Sequence, residues 1–425
     1  MYMAPEISFG SRHAQPSSDI FSLGVIAYEL IVGDPPFKKP PIGAVVRHEA
    51  LRIPPGLRNC PALDPELGEP LAGCVTGVEL WLSAPQDEGR TVALLTFCGG
   101  GRLIYKPRSL ALEAAFAALL RVCNDSGQML PLAAPRVLDR GAYGFVEHIA
   151  HEACADEEAV LRYYRRSGLL LCLLYLLDGT EVNDGSLIAH GEHPMLIDLA
   201  TLLQPPLPEP QALWSQAQRR AQQQLSSSVL STGLLPQGRS ERDGLAGGGG
   251  AAHHLATVLR LANSDDMELA EQELVTAAGR NRVHLGSLSG PPQSVREPHH
   301  EHELLAGFAE MFRWLMQQRE SLLSADGALA RFRGAKARFA LRETRYYQSL
   351  LRRSLGPALL RDGVDRSLFL ESLAEAYLDA AERPASFGLL GAELAAVERL
   401  DVPRFVQEAD QQAVCERLAR LKIGR

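Results

Sequence analysis

A chain of 425 residues with 46% hydrophobic side chains can bury two domains or one large one, and its formal net charge of −8 excludes electrostatic capture of DNA or RNA. Seven cysteines, an odd number with no C-x-x-C pair, argue for reduced thiols rather than a disulfide framework. The longest apolar run, Leu169 to Leu177, is far too short to cross a bilayer, and Met-Tyr-Met-Ala-Pro-Glu is no signal peptide, so a soluble cytoplasmic protein is expected.

Residues 1–75 open with a Pro-containing loop and an apolar helix, Ile20 to Val32, then turn Pro-rich from Pro35 to Pro70. Val78 to Ser83 and Val92 to Phe97 read as strands, and Gly99-Gly-Gly101 turns the second into a third, Arg102 to Lys106. Apolar residues at helical spacing predict a helix over Leu110 to Val122. A second helix, Leu161 to Leu177, is apolar almost all round near its end and is expected to be buried. Residues 204–250 carry Pro205-Pro206, Gln222-Gln-Gln224, Ser226-Ser-Ser228 and the glycines Gly247 to Gly250, which predicts a poorly ordered, flexible insert. Residues 255–425 read as helix-rich, with one strand-like break at Ala337 to Arg342.

Three motifs at the N-terminus stand in order: Tyr2-Met-Ala-Pro-Glu6, Ser18-Asp-Ile-Phe-Ser-Leu-Gly24 leading on to Leu30, and Gly33-Asp-Pro-Pro-Phe37. They resemble the C-lobe of a Ser/Thr protein kinase, at the end of its activation segment and its central helix. That resemblance implies structural roles for Glu6, as an ion-pair partner, and for Asp19, bracing the catalytic loop. The glycine loop, strand lysine and catalytic and metal-binding aspartates of that family precede such a segment and have no counterpart here. Residues 1–75 are therefore expected to be a kinase fragment unable to transfer phosphate.

From about Gly77 a second resemblance begins. Its motifs are Tyr105-Lys-Pro-Arg-Ser-Leu110, Ala142-Tyr-Gly-Phe-Val-Glu147, Tyr163-Tyr-Arg-Arg-Ser-Gly168, Leu187 to Leu199, Ala278-Gly-Arg-Asn281 and Arg338-Phe-Ala-Leu-Arg-Glu-Thr344, followed by Leu350-Leu-Arg-Arg-Ser-Leu355. Residues 76–425 resemble the dehydratase domain of class II lanthipeptide synthetases, over about four-fifths of the chain. The resemblance implies an α+β, kinase-like fold: a mostly helical large lobe from about residue 158 and a small β-rich lobe over 78–106, N-terminally truncated and so incomplete. It implies ATP-dependent phosphorylation of Ser and Thr in a precursor peptide with a leader, with magnesium, followed by β-elimination of the phosphate. The zinc cyclase that follows in full-length members is expected to be absent, with no zinc site in the chain and a separate cyclase as partner.

What the resemblance implies for single residues is uneven. Lys106, at a strand end, would reach nucleotide phosphates, a reading that the intact Tyr105-Lys-Pro-Arg-Ser109 context favours over a surface lysine after a hairpin. Asp198, after the apolar Met195-Leu-Ile197, would hold magnesium, where an isolated aspartate would read as a helix cap. The family loop Thr-Asp-x-His-x-Glu-Asn is here Thr180-Glu-Val-Asn-Asp-Gly-Ser186. Glu181 places its carboxylate one methylene farther out, Asn183 cannot titrate as histidine does, and Ser186 is a shorter magnesium ligand than asparagine. Asp184 is an alternative metal ligand. Three replacements predict impaired phosphoryl transfer. The phosphate-binding Arg-x-x-x-Arg-x-Thr pattern is intact as Arg338, Arg342 and Thr344, and on a strand the two arginines would share a face; surface ion pairing is the other reading of them. A family histidine before the strand lysine is here Gln86, which puts elimination in doubt. The His299, His300 and His302 run reads as a solvated face, and Gly247 to Gly250 lacks the Lys-Ser/Thr ending of a phosphate loop. Two rivals remain beside the enzyme: a degenerate peptide- or nucleotide-binding fragment, and a non-functional kinase–synthetase fusion.

Overall fold

The computed structural model describes residues 75–203 except 81 and 184, then 216–235, 245, 252–260, 268–276, 280–281, 283–285, 293–294, 300–339, 341–342, 344–356, 358–361, 363–377, 385–409, 414 and 418. The kinase-like motifs, Asp184, His299 and Gly247 to Gly250 lie outside the described residues. Helices and sheets are both present, so the fold is α+β.

The chain divides into two compact units, one of residues 1–78 and 95–102 and one of 79–94 and 103–425. In the first, the Thr76 hydroxyl donates to the Thr96 carbonyl at 3.2 Å. Gly100, at φ +80°, lets the chain reverse so that the Phe97 amide donates to the Gly101 carbonyl.

Strand β1 is Val75–Glu79 and β2 is Ala93–Phe97, so the first strand starts and ends earlier than its sequence pattern predicts. Strand β3 (Arg102–Lys106) pairs antiparallel with β5 (Gly144–Glu147), which pairs with β4 (Val137–Asp139). Helix α1 (Ala111–Asp125) lies between β3 and β4 and buries Leu112, Phe116, Leu119 and Leu120.

Helix α2 (Glu157–Leu176) is the central element. The Asp156 carboxylate accepts from the Ala159 amide at 2.7 Å and caps it, and Glu157 and Glu158 favour the positive end of the helix dipole. Its C-terminal half, Leu169 to Leu174, is buried as its all-apolar sequence requires. The hairpin of β6 (Leu187–His190) and β7 (His193–Leu196) follows, turning at Gly191 with φ +56°.

Within the stretch 204–250, residues 216–226 form helix α3 (Gln216–Ser226) and Val229–Thr232 a 3-10 turn, so this part carries local secondary structure that its sequence pattern does not predict. The C-terminal half also holds more strand than its sequence pattern suggests. Strand β8 (Ala252–Arg260) pairs with β9 (Glu268–Thr276), and β10 (His284–Leu285) with β11 (Gln293–Ser294). Helices α4 (Glu301–Gln317) and α5 (Arg319–Leu323) come next, and α4 packs along α2. Strand β12 (Lys336–Phe339) pairs with β13 (Phe405–Glu408). The predicted strand thus ends at Phe339, and Arg342 lies beyond it rather than on the Arg338 face. Helices α6 (Thr344–Ser354), α7 (Gly363–Leu370) and α8 (Leu390–Glu398) complete the chain around a second core of Tyr347, Leu350, Leu370, Leu373, Leu390 and Val397. No described helix is long and apolar enough to cross a membrane.

Candidate active site

Lys106 closes β3 and is buried, with its Nζ donating to the Ile197 carbonyl just before Asp198. The same ammonium lies 3.8 Å from Glu113 Oε1 and 3.8 Å from Asp198 Oδ1. Pro107 turns the chain so that Arg108 comes back to the same place. Its guanidinium grips Glu113 with both Nη atoms and reaches Asp198 Oδ1 at 2.6 Å. Glu113 itself is buried in the first turn of α1. Two cations and two carboxylates therefore balance in one cluster, and the Asp198 side chain is half exposed while its Oδ1 is turned inward against Arg108 and Lys106.

The electrostatics follow from that arrangement. Burial pushes the Lys106 ammonium below its ordinary range, and the repelling Arg108 adds to this against the pull of Asp198 and Glu113. At Asp198, desolvation acts to raise the carboxyl, but Lys106, Arg108, the Ala200 amide and Arg338 outweigh it and hold the group well below the carboxylate range.

The Thr180–Ser186 loop is fixed from two sides. Thr201 Oγ1 donates to the Thr180 carbonyl at 2.6 Å, and the Val182 amide donates to the Thr232 carbonyl at 3.0 Å. Within it, Glu181 sits at φ +58°, a left-handed conformation unfavourable to a side chain and held by these flanking bonds. Its Oε2 accepts from the Thr344 hydroxyl at 3.3 Å, and that hydroxyl accepts from Arg338 Nη2 at 3.1 Å. The Arg338 amide donates to the Ala200 carbonyl at 2.7 Å, tying β12 to the segment after Asp198. Glu181, Thr344 and Arg338 are thereby brought together beside Asp198.

Other predicted residues go elsewhere. Asn183 Oδ1 accepts from the Gly185 amide at 2.8 Å and its Nδ2 donates to the Glu181 carbonyl at 3.0 Å. The Ser186 hydroxyl accepts from the Asn183 amide at 2.8 Å and donates to the Asn183 carbonyl at 3.1 Å. Both side chains close their own turn. Arg342 donates through Nε to Glu393 Oε1 at 2.8 Å and through Nη2 to the Leu373 carbonyl at 2.5 Å. Glu393 is fully buried and also accepts from Tyr347 at 2.6 Å, so Arg342 is drawn into the C-terminal core and away from Arg338. Gln86 lies in a tight hairpin closed by backbone bonds to Arg90, whose tip amides at Glu88 and Gly89 both donate to the buried Asp401 carboxylate.

Among the described residues, no group of three or more His, Cys, Asp or Glu side chains is arranged to hold a metal ion. Among the described residues, Asp198 is taken by a guanidinium and the Ser186 hydroxyl is turned into its own loop, an arrangement that does not present them together as magnesium donors.

A family model described as "Domain of unknown function (DUF4135)" matches residues 58–408. The chain belongs to that family. It is also similar to the lacticin 481/lactococcin biosynthesis protein LcnDR2 of Lactococcus lactis subsp. lactis, at 23% identity over 328 residues, which are 74% of this chain and 34% of the relative. The chain thus spans about a third of the length of that curated relative.

Sequence reasoning missed two members of this DUF4135 site, Arg108 and Glu113. The signal for Arg108 was present, since it stands in the same Tyr-Lys-Pro-Arg-Ser motif as Lys106, but only the turn at Pro107 shows that both cations point one way. Glu113 carries no motif of its own and reads as an ordinary first-turn acid of a helix.

Proposed function

We propose that the chain works in lanthipeptide biosynthesis, dehydrating Ser and Thr of a leader-bearing precursor peptide on a kinase-like scaffold. ATP would be the phosphoryl donor, phosphate elimination the second half-reaction, and a separate cyclase the partner that consumes the product. The similarity to a lantibiotic biosynthesis protein supports the pathway. The observation that carries the reading is the convergence of Glu181, Thr344 and Arg338 next to the Lys106–Arg108–Asp198 cluster. A carboxylate, a hydroxyl and guanidinium forks around one point suit a phosphate ester.

Phosphoryl transfer is the weaker half in this reading, because Asn183 and Ser186 are spent on their own turn. Mass spectrometry of a Ser/Thr peptide with leader, incubated with ATP, magnesium and the protein, tests the reading. Loss of water from the peptide is the expected outcome, and gain of one phosphate mass marks the first half alone. A peptide returned unchanged favours a binding fragment without turnover, the reading that the self-closed Asn183–Ser186 turn supports.

A further inference from the structure

A groove lined by α2, α4 and the loop after α1 shares no residue with the Lys106–Asp198 cleft. It has an outer space of about 650 Å³ and an inner one of about 180 Å³, joined through Gln128, Met129, Arg165 and Glu310, which line both. The loop is fixed in place. Gly127 turns it at φ +63°, and Asn124 clamps it, its Nδ2 donating to the Leu132 carbonyl and its Oδ1 accepting from the Leu132 amide, each at 2.8 Å. Arg165 on α2 donates to Glu303 at 3.1 Å and to Glu310 at 3.0 Å, which ties the α4 wall to α2.

The inner space has two unmet demands. Its charged walls are Arg165 and Arg313 against Glu310, and Arg313 is exposed with no ion pair among the described residues. Trp314 is also a wall; it is 2% exposed, and its indole N–H has no acceptor among the described residues. A buried donor without an acceptor is costly, and an indole nitrogen can only donate. Water can supply the acceptor but not the negative charge. A carboxylate supplies both. The outer space differs in character. Leu161 on α2, 42% exposed, and Met129 give it an apolar side, while Glu158, Glu303 and Glu310 outnumber Arg162 and Arg165 along it.

We infer that this groove docks a peptide segment through a single acidic side chain. The carboxylate enters the inner space, where it accepts from the Trp314 indole N–H and pairs with Arg313, and an apolar neighbour lies against Leu161 and Met129. The acid excess of the outer lining disfavours further acidic residues beside the anchor. The outer space has room for several atoms of chain beyond one carboxylate, which selects a peptide over a free acid. The inference goes beyond the dehydratase reading and does not depend on it.

The test uses the full chain, isotope-labelled at its tryptophan indoles, and a pool of short acetylated, amidated peptides with a central Leu-Glu and degenerate flanks. Trp314→Phe keeps an aromatic ring but removes the N–H, and so assigns the Trp314 indole resonance. That resonance should move as the pool is added, with saturable binding in fluorescence anisotropy. The same pool with Gln for Glu should bind the unaltered protein at least about tenfold more weakly, the scale of a lost hydrogen bond to a charged group. Arg313→Glu should weaken binding of the original pool by a similar factor. Its side chain is exposed, so its melting temperature should match the parent's, and the Gln pool on the unaltered protein reads the same loss without any substitution. No binding by the pool, binding that leaves the Trp314 resonance in place, or equal binding of the Gln pool each overturns the inference. N-acetylglutamate amide binding as tightly as the peptides overturns it in favour of a small free acid.

Discussion

Asp198 shows how a single residue's setting can be read as a pH response. Its carboxyl is held well below its ordinary range because Lys106, Arg108 and Arg338 favour the ionised form more than burial disfavours it. A folded-state value below the unfolded one means that the group adds stability at pH above the ordinary aspartate value of about 3.9. That contribution is lost as pH falls through the folded value. Asp198→Asn should therefore lower thermal stability at neutral pH and leave the variant less sensitive to acidification below about pH 4 than the parent. Melting temperatures measured across that range check it, and parallel acid limbs for the two proteins contradict it. The residue scale is also where the sequence was least legible. Arg342 stands in an intact Arg-x-x-x-Arg-x-Thr pattern, yet its guanidinium goes to Glu393, fifty-one positions on. No local pattern marks a fully buried glutamate as the partner, since burial of that carboxylate depends on the fold of α8 around Tyr347.

Elements were more legible where their pattern is local. The apolar periodicity of α1 and α2 predicts both helices to within a few residues, because a 3.6-residue stripe is decided by neighbours along the chain. The β8–β9 hairpin was missed because Ala252 to Arg260 is rich in Leu and Ala, good helix formers, and its strand state depends on pairing with Glu268 to Thr276. The packing of α2 on α4 is likewise invisible in the sequence, though its cause is simple. Gly168 and Gly307 let two backbones meet: a Cβ at Gly168 would run into the Leu304 carbonyl, and one at Gly307 into the Arg165 carbonyl. Alanine favours a helix over glycine by about 1 kcal/mol, but overpacking against main chain costs about 1–3 kcal/mol and the helices cannot yield by a rotamer change. Gly168→Ala and Gly307→Ala should each lower stability in denaturant titration. A stabilised variant of either would mean that α2 and α4 separate freely.

At the scale of the molecule, the site draws on parts far apart in sequence. Lys106 and Asp198 come from the first half of the DUF4135 match, and Arg338 and Thr344 from the second. The C-terminal core holds that second contribution in place. Tyr347 is buried three residues after Thr344 on the same helix, and its hydroxyl shares Glu393 with Arg342. The central core, by contrast, is built on α1, α2 and α4 and contains none of α6 to α8. The two cores should therefore differ in their response to a cavity. Leu390→Ala removes a buried side chain from the C-terminal core only, at a cost of about 2–5 kcal/mol. Hydrogen exchange should then quicken in α6 and α8 while the amides of α2 keep their protection, since local opening follows the contacts that were lost. Thr344 and Arg338 would lose their fixed relation to Glu181, so phosphopeptide turnover should fall even though Lys106, Arg108 and Asp198 are untouched. Exchange that quickens equally in α2 would show that the cores unfold as one. Turnover unchanged beside a loosened α6 would show that Thr344 does not take part in the chemistry.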